Sequence, residues 1–197
     1  MKRFNLLYVD PPWQYGNKKT GGSMSSGSDA KYETISTKEL LTTSIEPLCM
    51  DDAYLFMWAT VPMMQEAFAL MAQWGFTYKT RLSWHKKQGR LGMGYYFRGE
   101  IEDVLVGIRG KVKAPRVQKR NWVDPPPSKH SRKPEEMRLL VEEAAIKSFG
   151  SRKVRALEMF ATHKEGQGVL NWSYWGNDVE SDIAFDLLKR KRFRLRV

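Results

Sequence analysis

The chain has 197 residues, 42% of them hydrophobic, and its 33 lysines and arginines exceed its 22 acidic residues, which gives a formal net charge of +11. A chain of this length and apolar content can bury a full core, which excludes intrinsic disorder over most of it. The excess of positive charge favours an anionic partner, and nucleic acid before any other.

Cysteine and histidine are too few for the usual metal clusters. Cys49 is the single cysteine, and the three histidines are scattered along the chain. These counts exclude an intrachain disulfide and a zinc site built on several thiolates, and we expect no metal. The apolar run at residues 4–9 is too short for a signal peptide, and no run approaches the ~20 residues of a membrane span. We therefore expect a soluble protein of the cytoplasm, neither secreted nor membrane-bound.

The first half of the chain alternates between predicted strands and helices. A buried strand at residues 4–9 stops at a proline turn, and Ser36 with Glu39 forms a capping box that opens a helix through residue 41 and beyond. A second buried strand is predicted at residues 53–60, and Pro62 starts a helix that ends at Gly75. The predicted apolar face of that helix carries Met64, Ala67, Phe68, Met71 and Trp74.

The second half continues the alternation. A helix is predicted between Pro134 and Gly150, and another from about residue 178 to 188. Strands are predicted at residues 77–85, 103–109, 154–160 and 171–175. Strands alternating with helices are typical of an α/β domain with a mostly parallel sheet. We expect one domain over residues 1–188, inserted loops at residues 14–31 and 110–133, and a basic tail at residues 189–197.

The segment Asp10-Pro11-Pro12-Trp13 follows the first predicted strand. In open α/β sheets, sites form outside the carboxyl ends of strands. The Asp10 carboxylate and the Pro11 carbonyl could accept both N–H bonds of an amine conjugated to a heteroaromatic ring, and so localise its lone pair for methylation. The two prolines hold these acceptors rigidly. The Trp13 ring offers a flat face for a base or a cation.

A second copy of the tripeptide, Asp124-Pro125-Pro126, provides a control within the sequence. It lies in a polar, proline-rich loop where no strand is predicted before it, and Pro127 follows it instead of an aromatic residue. This pattern favours simple stiffening of a loop. Only the first copy combines a preceding strand with a following aromatic ring, so we expect the chemistry there.

The Asp10-Pro11-Pro12-Trp13 segment resembles the signature of the DPPW-type adenine-N(6) methyltransferases. This family includes the catalytic subunit of the eukaryotic mRNA adenine methyltransferase and many bacterial and phage DNA methyltransferases. The resemblance runs from residue 4 to about residue 182. The further segments that carry it are Tyr32-Glu33-Thr34-Ile35-Ser36, Tyr54-Leu55-Phe56-Met57-Trp58, Glu102, Ser131-Arg132-Lys133-Pro134-Glu135, Leu157-Glu158-Met159-Phe160 and Trp175-Gly176-Asn177-Asp178.

This resemblance implies a Rossmann-like class I methyltransferase fold in circularly permuted order, with the catalytic strand first and the donor-binding strand late. It implies S-adenosylmethionine as the methyl donor, and Tyr32 and Glu102 near the acceptor base. The donor contacts it implies are Asp10, Pro12, Lys133, Glu158, Met159, Phe160, Asn177 and Asp178.

Simpler structural roles compete for several of these residues. Lys133 lies just before a predicted helix, where a carboxylate binds well, but it could equally be a solvated loop lysine. Glu158 could bind a ribose hydroxyl or form a structural salt bridge. Met159 and Phe160 could belong to the core. Asn177 follows a glycine and could be a turn residue or a helix cap.

Positive charge is concentrated at residues 79–98, 111–133 and 189–197, with aromatic residues among or beside these segments. Such a pattern suits phosphate contacts and stacking on an extruded base, and Lys86 and Arg98 are candidate substrate-binding residues. The sequence thus predicts a nucleic-acid adenine methyltransferase that acts on DNA, with RNA as the first alternative substrate. A non-catalytic nucleic-acid-binding homologue is an alternative, although it would need neither Asp10 nor Trp13. A partner subunit is compatible with the sequence but not indicated by it.

Overall fold

A computed structural model of the chain describes residues 2–13, 35–87, 96–128, 132–164 and 168–187. These residues form seven strands and three α-helices, with short 3₁₀ turns at Glu46–Leu48, Val61–Met63 and Ser151–Lys153. The strands are β1 (Phe4–Val9), β2 (Cys49–Ala59), β3 (Thr77–His85), β4 (Ile101–Arg109), β5 (Trp122–Val123), β6 (Ala156–Met159) and β7 (Trp172–Trp175). The helices are α1 (Thr37–Leu40), α2 (Met64–Gln73) and α3 (Glu135–Phe149).

All seven strands form one sheet in the order β5-β3-β4-β2-β1-β6-β7. Strand β4 pairs antiparallel with both β2 and β3, and every other pairing is parallel. Six of these seven strands therefore run in the same direction. The first strand of the chain lies in the middle of the sheet, between β2 and β6. The chain first places β2 on one side of β1 and later places β6 on the other side. The strand order therefore reverses between β1 and β6.

Apolar layers cover both faces of this sheet. One layer packs against α1 and α2 and includes Leu7, Leu55 and Leu70, and the other packs against α3 and includes Leu6 and Val141. All six residues of β1 are buried, and the apolar side chains among them belong to both layers. A continuous apolar run of this kind is typical of a central strand covered by helices on both sides. The predicted α/β architecture is confirmed.

The helix α3 carries two charged residues on its buried face. Arg138 and Glu142, one turn apart, are 4% and 1% exposed. Glu142 accepts hydrogen bonds from the backbone of Val169 and from the indole of Trp172, both at 2.7 Å, and so fastens the start of β7 to α3. Buried charges are tolerated when they are paired and hydrogen-bonded in this way.

The helix predicted from residue 178 is wrong for the described residues up to 187. Asp182 instead turns the chain back over β7: its backbone N–H donates to the Tyr174 carbonyl, and its carboxylate accepts the Tyr174 N–H, both at 2.8 Å. The following apolar side chains have a spacing of two residues, as in an extended segment, and pack against the layer on the α2 side. They are Ile183, Phe185 and Leu187.

Other boundaries differ from those predicted. Strand β2 starts at Cys49 rather than residue 53, β6 is shorter than predicted, and α1 ends at Leu40. The sequence predicts Phe68 on the apolar face of α2, but its side chain is 40% exposed. No helix in the described ranges is long and apolar enough to cross a membrane.

The region predicted as a loop at residues 110–133 contains β5, which pairs with the edge strand β3. The expectation that no strand precedes the second Asp-Pro-Pro copy is therefore wrong. A two-residue strand gives almost no periodicity and is held by its partner, so the sequence alone carries little sign of it.

Gly176 is required where the loop after β7 meets the loop after β6. A Cβ atom at residue 176 would lie 2.2 Å from the carbonyl oxygen and 2.7 Å from the nitrogen of Ala161. Backbone atoms cannot swing away as a flexible side chain can, so Gly176→Ala should destabilise the fold by about 1–3 kcal/mol. At ~2–4 °C per kcal/mol for a domain of this size, thermal unfolding will show the loss. Gly99→Ala, where an added Cβ meets nothing within 4 Å, is the control and should leave the melting temperature nearly unchanged.

Candidate active site

Several polar residues converge at the carboxyl edge of the sheet. Asp10 directly follows β1, and Lys86 directly follows β3. Glu102 lies at the start of β4 and is paired with Trp84 near the end of β3. Because β4 runs antiparallel, its beginning lies at the edge where β1 and β3 end. The topology therefore brings an acid from β4 beside the acid that follows β1.

The backbone around Asp10 is fixed by hydrogen bonds to neighbouring elements. The Asp10 N–H points to the carbonyl of Met159 in β6 at 3.4 Å, and the Trp13 N–H donates to the Pro11 carbonyl at 2.8 Å. The Trp13 ring is 6% exposed and belongs to the core, and its indole N–H donates to the Trp58 carbonyl at 3.1 Å. In this conformation Trp13 anchors the segment. Pro11 keeps a second lone pair for another donor, since a carbonyl oxygen has two.

Lys133 links the two acids. Its ammonium lies 3.2 Å from a carboxylate oxygen of Asp10 and 3.0 Å from one of Glu102. It also lies 4.7 Å from the centre of the Trp58 ring, within the range of a cation–π interaction. Lys133 is 21% exposed and immediately precedes Pro134, the N-cap of α3. It is therefore an ordered part of the site and not a solvated loop lysine.

The pKa values of Asp10, Glu102 and Lys133 are shifted in different directions by burial and by the neighbouring charges. Loss of contact with water raises the pKa of Asp10, the neighbouring Glu102 carboxylate raises it further, and Lys133 opposes both effects. Burial alone would also raise the pKa of Glu102, but the ammonium groups of Lys133 and Lys86 lower it below its ordinary value. The two carboxylates likewise raise the pKa of Lys133, against the effect of its burial. Glu102 and Lys133 thus form a stable ion pair, and Asp10 is the member nearest to accepting a proton.

A second lysine and two indole rings complete the arrangement. The Lys86 ammonium contacts the other oxygen of Glu102 and lies 5.1 Å from the centre of the Trp84 ring. The rings of Trp58 and Trp84 meet edge to face, with centroids 6.2 Å apart. Each lysine therefore lies over one ring of an aromatic pair.

Glu158 in β6 takes the structural role left open by the sequence. It pairs with Arg138 of α3, whose guanidinium carbon lies 4.6 Å from the centre of the Trp172 ring. The Met159 side chain is buried in the core on the α2 side. Phe160 adopts a positive φ of 60° directly after β6 and packs edge to face on Trp175. A positive φ is uncommon for a bulky residue, so the turn at the end of β6 is held by its surroundings.

The remaining candidate residues are more dispersed. Asn177 and Asp178 are exposed in the loop after β7, on the far side of β6 from Asp10. Arg98 is exposed in the segment before β4. Tyr32 lies outside the described residues, as do residues 14–31 and the tail. The structure thus brings together Asp10, Glu102, Lys133 and Lys86, and leaves the roles of the other candidates as predictions.

Comparison of the sequence with known protein families identifies the family of this chain. The MT-A70 family model matches residues 4–178, which include every strand of the sheet. The chain belongs to the MT-A70 family. The predicted resemblance is confirmed, and the mixed sheet with six strands in one direction is consistent with a Rossmann-like methyltransferase fold.

Individual relatives of this MT-A70 protein come from bacteria and animals. The Type II methyltransferase M.MunI of Mycoplasma sp is 31% identical over 195 residues, which cover 90% of this chain and 78% of that protein. The N(6)-adenosine-methyltransferase subunit METTL3 of Danio rerio is 25% identical over 203 residues, covering 98% of this chain. The Homo sapiens catalytic subunit METTL3 is 25% identical over 116 residues. The chain spans 31% and 18% of the length of these two METTL3 proteins.

The sequence did not identify the aromatic pair beneath the lysines or the partner of Glu158. Trp58 and Trp84 come from strands that are separated by β4 in the sheet, so their contact depends on strand order. Arg138 could have been suspected from the polar residues within the apolar stripe of α3. No signal in the sequence alone pairs it with β6.

The ion pairs of Glu102 make its contribution to stability depend on pH. Because its pKa is lowered in the folded protein, ionised Glu102 stabilises the fold above its ordinary pKa of 4.5, and this contribution is lost as pH falls through the lowered value. Glu102→Gln should therefore cost about 1–3 kcal/mol near pH 6.5 and progressively less towards pH 4. Thermal unfolding of both proteins across this range measures the difference.

Glu180→Gln is the matched control, since Glu180 is exposed. Its melting temperature should follow the wild type at every pH. A gap between Glu102→Gln and the wild type that stays constant down to pH 4 would contradict the assignment of the ion pairs.

Proposed function

We propose that this MT-A70 protein is an S-adenosylmethionine-dependent methyltransferase that modifies the exocyclic N(6) amine of adenine in DNA. The observation that carries the proposal is the position of Asp10, next to the point where the strand order reverses and in contact with Lys133. Membership of the MT-A70 family and the similarity to M.MunI over 90% of the chain support it.

Asp10 and Pro11 are suited to activating an adenine amine. The nitrogen lone pair of such an amine is delocalised into the ring, so the amine is a poor nucleophile. A carboxylate oxygen of Asp10 and the Pro11 carbonyl can each accept one N–H bond, which localises the lone pair towards the methyl group. The S–CH₃ bond of the donor would break as the N–C bond forms, which would leave the donor as a neutral thioether. The methylated nitrogen would be acidic, and Asp10 is placed to accept its proton. Its raised pKa makes it a better proton acceptor than an ordinary aspartate.

The residues at the crevice fit the charged end of the proposed donor. S-adenosylmethionine carries an ammonium, a carboxylate and a sulfonium-bound methyl group, and it would supply that methyl group. Lys133 offers a cation and Asp10 an anion 3.2 Å apart, which matches an amino acid end with both charges. With 45% of its side chain exposed, Asp10 is accessible from the crevice.

Glu158 and the loop after β7 are proposed to serve the nucleoside part of the donor. Met159, Asn177 and Asp178 lie in the segments that resemble the donor-binding segments of the family. Glu158 pairs with Arg138, and we propose that it also contacts the donor. Tyr32 and Arg98 remain proposed contacts of the substrate, and the buried Trp13 is proposed to hold in place the segment that contacts it.

DNA is the proposed substrate, and RNA is the alternative. The net charge of +11 suits either polyanion. The motifs resemble those of bacterial and phage DNA methyltransferases, and M.MunI matches most of both chains. The similarity to the METTL3 proteins makes RNA the alternative substrate, although this chain spans less than a third of their length. Incubation of the purified protein with labelled donor and either DNA or RNA of mixed sequence distinguishes the two substrates.

Replacing Asp10 tests the chemistry directly. Asp10→Ala should lower kcat by roughly 100- to 1,000-fold, the usual effect of removing one acceptor or donor from a preorganised site. The fold should remain, because Asp10 follows the strand and its side chain is outside the core. Transfer of labelled methyl groups to DNA, read together with thermal unfolding, measures both properties.

Asp124→Ala in the second Asp-Pro-Pro copy is the matched control and should keep most of the activity. Asp124 lies 3.6 Å from Lys87, and both side chains are about half exposed. Equal losses in the two variants, or full activity of folded Asp10→Ala, would refute the proposed mechanism.

Lys133 should contribute to donor affinity. Lys133→Ala removes a charge-assisted hydrogen bond to the proposed donor carboxylate, which is worth about 1.5–3 kcal/mol. Isothermal calorimetry with S-adenosylmethionine should therefore show a Kd raised by roughly 10- to 150-fold. Lys147→Ala, which breaks an exposed pair with Glu143 on α3, should bind the donor as the wild type does. An unchanged donor affinity in folded Lys133→Ala would remove Lys133 from the donor site.

A further inference from the structure

Four charged side chains alternate in sign along the carboxyl edge of the sheet. Asp10, Lys133, Glu102 and Lys86 form this charge row, in which each neighbouring pair is in contact. Glu102 holds two ammonium groups, whereas Asp10 holds one. Asp10, at one end of the row, therefore has one cation as its partner, and Lys86, at the other end, is paired with Glu102.

Lys86 is built into this row and is not an ordinary surface lysine. Its side chain is 28% exposed and the Glu102 side chain 17%. The Trp84 ring beneath Lys86 is 3% exposed, and its indole N–H donates to the Pro125 carbonyl at 2.8 Å. This hydrogen bond fixes the ring on which the lysine lies. A solvated phosphate contact would need neither a buried ring nor a carboxylate partner.

The loss of Lys86 would unbalance the row. Asp10 and Glu102 would then share the single ammonium of Lys133, and two carboxylates with one cation bind a proton more readily than a balanced set. The groups that face Asp10 are Lys133 from the segment before α3, Glu102 from β4, Lys86 after β3 and Tyr8 from its own strand. Burial raises the pKa of Tyr8 well above its ordinary value, so Tyr8 stays neutral. The added proton would go to Asp10, because Glu102 keeps the closer contact with Lys133, at 3.0 Å against 3.2 Å, and Lys133 still lowers the pKa of Glu102.

We propose that Lys86 is a positioning residue, which holds Glu102 against Lys133 and so keeps the Asp10 carboxylate available to the amine. The inference rests on the proposed function and assigns Lys86 a role through Glu102. It differs from the prediction that Lys86 binds the phosphates of the substrate. Lys86 would influence the chemical step without touching the reacting atoms.

Steady-state kinetics of Lys86→Met distinguish the two roles. Positioning predicts that the acid limb of the pH–rate profile moves to higher pH by roughly one unit, so that kcat on that limb is about tenfold lower, with a nearly unchanged KM for nucleic acid. Lys86→Arg should restore most of the rate, since a guanidinium also pairs with Glu102. Lys147→Met is the control for removing one lysine and should match the wild type. An unchanged kcat with a raised KM and a weaker dependence on salt would overturn the proposal and make Lys86 a phosphate contact.

A double-mutant cycle tests whether Lys86 acts through Glu102. In the Glu102→Gln background, Lys86→Met should change kcat less than twofold, because the carboxylate that it positions is gone. Equal effects of Lys86→Met in both backgrounds would overturn the proposal. If Lys86→Met alone does not fold, as thermal unfolding will show, the comparison of Glu102→Gln with the double variant and the Lys86→Arg kinetics still decide the question.

NMR titration of Asp10 provides a readout that needs no activity. In protein labelled with ¹³C at the aspartate carboxyl, the Asp10 signal should titrate at higher pH in Lys86→Met than in the wild type. An identical titration would overturn the inference. A wild-type protein that methylates neither DNA nor RNA would refute the proposed function instead, and the titration would still decide how Lys86 affects Asp10.

Discussion

The ion pairs of Lys133 hold together the carboxyl edge of the sheet. Its ammonium joins Asp10, which follows the central strand β1, to Glu102, which starts the antiparallel strand β4. Without this cation, two partly buried carboxylates would face each other with Lys86 as their only remaining cation in the described row, and Asp10 would lose its ionic partner. The site therefore depends on one reversal of strand direction. A parallel β4 would carry Glu102 to the opposite edge and leave Lys133 with a single partner.

Much of the fold could be predicted because its signals are local. The buried strand β1 and the limits of α3 follow from local features, namely an apolar run for β1 and a proline and a glycine at the two ends of α3. The failures have non-local causes. Residues 178–187 contain apolar side chains that suit a helix, but two hydrogen bonds between Asp182 and Tyr174 hold the segment against β7. Strand β5 exists because β3 offers it a partner, which no window of sequence records.

The candidate site divides in the same way. Asp10 was predictable because a polar residue after a buried strand lies at the edge where sites form. The resemblance to a family pointed to Glu102 and Lys133, which the structure then brings into contact. The contact of Lys86 with Glu102 and the pairing of Trp58 with Trp84 depend on the register of β3 and β4 and on the order of strands. These relations through space decide which charges balance, and hence which carboxyl is ready to take a proton.

The two Asp-Pro-Pro copies occupy different positions in the sheet and make different contacts. Both follow strands whose carboxyl ends lie at the same edge, since β5 runs parallel to β3. The first copy follows a strand with neighbours on both sides, so a crevice opens beside Asp10 where the chain reverses its order. The second follows the edge strand β5, which has a neighbour on one side only, and its Pro125 carbonyl accepts the Trp84 indole N–H beneath Lys86. The same three residues thus place a carboxylate against Lys133 in one copy and fix the ring beneath Lys86 in the other.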